Sequence, residues 1–373
     1  MKVWSYGEAR DRAAGLASRW RSEDWYDGSV SSAPGPVSHE VAALGFVIES
    51  DASGALFQLR DTVETALKLA TLIFASDLRT LDLEPQLRAA LFAKPLALGD
   101  WAELSQRMAK VIAQTDGAVS QDFAAAFLDG QRRDITQVFV GTWNNELAHG
   151  AFRNDPLERL EVLETLLFDP NDGVARLFAL FAEMPWPKFL AEGPHGLEAL
   201  RGAETMAAWH KRCGLPETHP AEPGECQVQN AEGRALSLTP YVTVRRCSRC
   251  QGRDIFLFDT ARLSKMPARY DFLDYVQGHK DRQPDIGLDD ERGTTGADAQ
   301  DAQMERGFAD RAVTEDLDSA VGECPELCVS GPVHAVSDTQ ASKRSPNIMA
   351  NWLRAANHSL TFLPSFSKFR MAR

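Results

Sequence analysis

Two short stretches of the chain hold residue types able to do chemistry. The first is Trp143-Asn144-Asn145-Glu146-Leu147-Ala148-His149-Gly150, which closes a predicted helix. Asn145 and His149 are four residues apart, so they project from one helical face. A histidine in a last turn is stabilised in its protonated form by the helix dipole. Gly150 suits the left-handed residue that follows a helix. In a polar cleft such an imidazole acts as a general acid or base, for instance on an RNA phosphodiester. The plainer reading is a capped helix end whose amide and imidazole bond to neighbouring loops.

The second stretch is Arg245-Arg246-Cys247-Ser248-Arg249-Cys250. Two thiolates with a two-residue gap are half of a tetrahedral zinc site. The arginines favour the thiolate form, and Arg245, Arg246 and Arg249 are candidates for binding the phosphates of a nucleic acid. The other half of the zinc site is open. Cys324 and Cys328 are the chosen partners, and Cys213, His219, Cys226 and His279 are alternatives. The plainer reading is a β-hairpin with two reduced cysteines at its tip.

The elements that must position these groups follow from periodicity. Leu56, Leu59, Val63, Ala66, Leu67, Ala70 and Ile73 recur at helical spacing. Glu64 and Lys68 form a favourable one-turn pair on that helix. Glu84 to Ala93 reads as a short helix with Pro85 in its first turn. Asp100 reads as the N-cap of the next helix, with Trp101, Leu104, Met108, Val111 and Ile112 as its apolar stripe. Further helices are predicted over Val119–Leu128, Ile135–Ala148, Pro156–Phe168, Val174–Met184 and Leu197–Arg212. Gly28 to Pro36 reads as a loop. Leu236–Val244 and Asp254–Phe258 read as strands, and Tyr270–Val276 as a strand or a short helix.

The fold class is therefore α+β. A helical bundle at 51–185 follows an N-terminal segment at 1–50 of unassigned role. A small β-containing module at 186–284 comes next, then an acidic linker at 285–342 and a basic, aromatic tail at 343–373. The linker is poor in large apolar residues and is expected to be disordered. The tail carries Lys/Arg with interleaved Phe and Trp, a pattern that suits RNA, an acidic surface, or the protein's own acidic body. The net charge of −13 argues against broad attraction to nucleic acid or anionic lipid. Six cysteines in 373 residues are too few for a disulfide scaffold. There is no long apolar run and no secretory pattern at the start. Together these predict a cytoplasmic protein.

The stretch ending at His149 resembles the Arg-Asn-x-x-Ala-His signature of HEPN-type helical domains in their bacterial signalling and antiviral defence branch. Pro95 to Trp101 (PLALGDW) is similar to the turn that precedes a long helix there. Phe57 to Lys68 sits where those domains have their first long helix. The resemblance covers about residues 50–185. It implies a site in which His149 handles a proton and an arginine stabilises phosphate charge, commonly at a homodimer interface. By position His149 matches the histidine, Asn145 the polar residue, and Asn144 falls where the arginine belongs. A neutral amide lacks the forked positive charge a phosphorane-like transition state needs. Arg153, four residues past His149, is the candidate replacement.

The segment from Leu238 through Cys247 and Cys250 to Gly278-His279 looks like a small β-rich, zinc-ribbon-like segment that follows HEPN-like domains in multidomain bacterial regulators. No Walker A, kinase or Gly-x-Ser-x-Gly motif accompanies it. The expectation is a non-catalytic sensing or adaptor protein of a defence or signalling system. It binds a partner protein, plausibly encoded next to it, or a nucleotide or nucleic-acid ligand. The alternatives are a metal-independent ribonuclease toxin using His149, and a nucleic-acid-binding protein with zinc as cofactor.

Overall fold

Asp51 starts the longest of the described helices, its carboxylate accepting a 2.9 Å hydrogen bond from the Ser53 amide. This helix, α4 (Ala52–Thr80), carries apolar residues around most of its circumference in its second half. Leu67, Leu69, Ala70, Leu72 and Phe74 are all fully buried. A helix apolar on every side belongs in the centre of a body, and α3, α6 and α9 pack around it.

The computed structural model describes residues 6–144, 156–169, 174–183, 189–213, 224–247, 249, 252–262, 269–274 and 279–284. In these the fold is α+β. Before α4 come α1 (Tyr6–Ser22), α2 (Asp24–Ser32) and α3 (Gly35–Ser50). After it come α5 (Pro85–Ala93), α6 (Leu98–Ala113), α7 (Gln121–Phe127), α8 (Gly130–Thr142), α9 (Pro156–Phe168) and α10 (Ala175–Glu183). The strands follow: β1 (Phe189–Gly193), β2 (Gly196–Ala199), then α11 (Ala203–Cys213), β3 (Gly224–Gln229), β4 (Ala235–Ser237), β5 (Val242–Arg246), β6 (Arg253–Arg262), β7 (Arg269–Asp274) and β8 (Lys280–Pro284). They form one antiparallel sheet in the order β2-β1-β3-β5-β6-β7-β8, with β4 also on β3.

Several sequence expectations change, among them the single strand expected over Leu236–Val244, which is two strands, β4 and β5. Gly28 to Pro36 is not a loop, because α2 runs through Gly28 and α3 begins at Gly35. Pro36 occupies the first turn of α3, where its missing N–H costs nothing. The first 50 residues are part of the body, with Val37, Val41, Leu44 and Ile48 fully buried. The predicted helix over Leu197–Arg212 begins later, since 196–199 is the edge strand β2. Asp100 is not an N-cap. It lies in the first turn, and its carboxylate reaches back 2.8 Å to the Ala97 amide.

The helices and the sheet share one hydrophobic core. Phe92 of α5 meets Tyr241, Phe258 and Tyr270 of the sheet at ring separations of 5.3–6.5 Å. The helical and strand parts of the chain therefore do not form separate cores. All described residues belong to one compact unit, Met1–Asp301. The proposed linker at 285–342 and the tail at 343–373 lie outside the described residues. No described helix is long and apolar enough to cross a membrane.

Candidate functional site

Trp143 follows α8 directly and is buried. It stacks on Phe139 at 6.5 Å and takes the edge of Phe57 from α4 at 5.9 Å. Arg60, one turn along α4, places its guanidinium 5.7 Å from the same ring. Asn144 follows directly and is exposed. Across from it lies the start of α6. A methyl group on Gly99 would sit 3.5 Å from Val140 and 4.0 Å from the Asn144 side-chain nitrogen. The turn at Leu98-Gly99-Asp100-Trp101, the first turns of α4 and the Trp143-Asn144 element, far apart in sequence, thus meet at one end of the helical body. Asn145, His149 and Arg153 lie outside the described residues.

The floor of this corner is charged. Arg60 bonds Glu64 at 2.9 Å, Glu64 faces the Lys68 ammonium at 3.4 Å, and Lys68 bonds Asp259 of β6 at 2.7 Å. Asp259 in turn holds Lys280 of β8 at 2.6 Å. The side chain of Lys68 is fully buried, 5.1 Å from the Trp101 ring. Burial by itself would push the Asp259 carboxyl up, but the ammoniums of Lys68 and Lys280 overcome it and hold the group well below the usual carboxylate range. Glu64 is held low in the same way, against burial, by Lys68 and Arg60. The sequence indicated only the one-turn Glu64–Lys68 pair. Nothing in local spacing pointed to Asp259.

At one end of the sheet the second candidate takes shape. Cys247 is fully buried just after β5, and its amide donates to the Gly252 carbonyl at 2.7 Å, closing the tip before β6. Its sulfur accepts the Arg249 amide at 3.4 Å and lies 3.3 Å from His279 Nδ1. The sequence offered His279 only as one of several alternative ligands. Its signal was the Gly278-His279 step just before β8. Among the described residues no three His, Cys, Asp or Glu side chains gather as a metal-binding group. Cys250, Cys324 and Cys328 lie outside the described residues.

The three arginines named for nucleic acid go different ways. Arg245 points inward, 4% exposed, bonded to the Thr243 hydroxyl at 2.7 and 2.9 Å and packed 4.0 Å over the Phe272 ring. It is spent on the sheet interior and does not face a phosphate in solvent. Arg246 is half-buried and Arg249 exposed.

Comparison of the chain with protein-family models, curated proteins and solved structures finds no match.

Proposed function

We propose that this chain is a non-catalytic adaptor or sensing protein of a bacterial defence or signalling system, whose HEPN-like helical body receives a partner protein at the corner around Asn144. The observation that carries this reading is the convergence of three segments: Phe57–Lys68, Leu98–Trp101 and Trp143–Asn144. They belong to the three stretches, Phe57–Lys68, Pro95–Trp101 and Trp143–Gly150, on which the resemblance to HEPN-type domains rests.

The chemistry of the corner favours protein over RNA. Phe57 is 45% exposed, with its ring backed by Trp143. A rigid aromatic beside an exposed amide is the kind of anchor protein interfaces use. Among the described residues, the guanidinium beside Trp143 is that of Arg60, and it is bonded to Glu64. With Asn144 in the arginine's position, a neutral amide stands where phosphoryl chemistry demands positive charge.

Two experiments test the reading. Co-expression with the products of neighbouring genes, followed by purification through this chain, is expected to yield a stable complex. Incubation with total RNA is expected to leave it intact. RNA cleavage that disappears in His149→Ala would replace the adaptor with a ribonuclease.

A further inference from the structure

The β5–β6 tip and the start of β8 lie at the same end of the sheet. The register requires it, since Arg246 pairs with Arg253, Phe256 with Asp274 and Leu273 with Lys280. The end of β5 and the start of β8 are therefore neighbours in space, and Cys247 and His279 meet there.

Their geometry has the form of a shared ligand set. Zinc binds thiolate sulfur at about 2.3 Å and imidazole nitrogen at about 2.0–2.1 Å, so two such ligands at a tetrahedral angle stand about 3.6 Å apart. The observed 3.3 Å between Cys247 Sγ and His279 Nδ1 is within a few tenths of that. The Arg249 amide, two residues on, points at the sulfur from 3.4 Å. A backbone N–H aimed at sulfur stabilises a thiolate, the form that binds metal. Sulfur and imidazole donors in tetrahedral array select zinc over hard, oxygen-seeking cations.

We infer that Cys247 Sγ and His279 Nδ1 are two ligands of one zinc ion that fastens the β5–β6 tip to the start of β8. The role of such a metal is structural. It clamps an outer strand of the sheet at the end where β8 enters, and the exposed arginine at the tip is then held on a rigid support.

The full chain, purified from zinc-supplemented cells without chelator, is to be analysed for metal by plasma emission. Stoichiometric zinc is expected, and it should fall sharply in both Cys247→Ser and His279→Ala. Cys226→Ala is the control, because Cys226 is a second fully buried cysteine that sits in β3 opposite Ala191. It should keep its zinc. Cobalt(II) added to chelator-stripped wild type should give the intense visible bands of a tetrahedral thiolate site, a readout that needs no variant to fold. Wild-type protein without stoichiometric zinc and without those bands overturns the inference. So does a folded His279→Ala variant that keeps all its zinc and an unchanged cobalt spectrum.

Discussion

Lys68 on the central helix and Asp259 on β6 bond at 2.7 Å across 191 residues of sequence. The lysine is fully buried, and its aspartate is 13% exposed. This pair joins the helical body to the sheet. It is also the middle of a row of alternating charges that starts at Arg60, beside Trp143, and ends at Lys280, beside His279.

A buried ion pair becomes costly when half of it is removed. Asp259→Asn takes the nearer carboxylate from the Lys68 ammonium and leaves Glu64 at 3.4 Å. We expect a loss of about 3 kcal/mol in denaturant unfolding, at the lower end of the range for breaking buried pairs. The double variant Lys68→Met, Asp259→Leu should lose less than the sum of the two single variants, because no charge is left stranded.

The same pair predicts an acid response. The Asp259 carboxyl is held low in the folded protein by Lys68 and Lys280, against the effect of burial. The unfolded chain keeps an ordinary value of about 3.9. On acidification below that value the unfolded state takes up the proton first, and stability falls. The contribution is therefore complete above about pH 5 and declines as pH drops below about 4. Unfolding free energy measured against pH should fall less steeply at the acid end in Asp259→Asn than in wild type.

A chain beginning at residue 51 should not fold cooperatively. It lacks Val37, Val41, Leu44 and Ile48, each fully buried in the shared core. It also lacks the backbone bonds from Gly35 to the Leu200 carbonyl and from Gly202 to the Ala33 carbonyl, at 3.1 and 2.9 Å. Near-ultraviolet circular dichroism and a thermal scan would show the loss. A sharp transition like that of the full chain would contradict this account of the first 50 residues.

Gly202 takes φ +81°, and a Cβ there would lie 2.7 Å from the Ser31 carbonyl oxygen. Gly233 takes φ +80°, with its nearest neighbour 3.9 Å away. Both alanine variants carry the backbone penalty of about 1 kcal/mol, but only Gly202→Ala adds a clash with backbone. Thermal melts should show Gly202→Ala as the more destabilised of the two.

The sequence was most informative where structure is local. Helix α9 spans Pro156–Phe168, as its periodicity and Pro156 predicted. The α+β order was legible from the change to β-branched and aromatic residues after 235. Composition misled at Gly28–Pro36, where turn-forming residues fill a helix end and a helix first turn. The partnerships that build the candidate sites are non-local. Lys68 meets Asp259, Cys247 meets His279, and Gly99 comes beside Asn144, and spacing along one segment encodes none of these. Arg245 shows the same limit. Its type suggested phosphate, but its place on β5 turned it toward Phe272.

The central claim is that the corner carrying Phe57 and Asn144 docks a protein. It is tested most directly by the affinity of the co-purified partner for three forms of the chain: wild type, Phe57→Asp and Phe46→Asp. Phe46, on α3, is 52% exposed and serves as the surface control. Loss of an aromatic anchor removes at least about 2 kcal/mol, or roughly 30-fold in Kd. Titration calorimetry should show that loss for Phe57→Asp and a wild-type Kd for Phe46→Asp. Wild-type affinity in Phe57→Asp, with the fold intact by circular dichroism, would contradict the account.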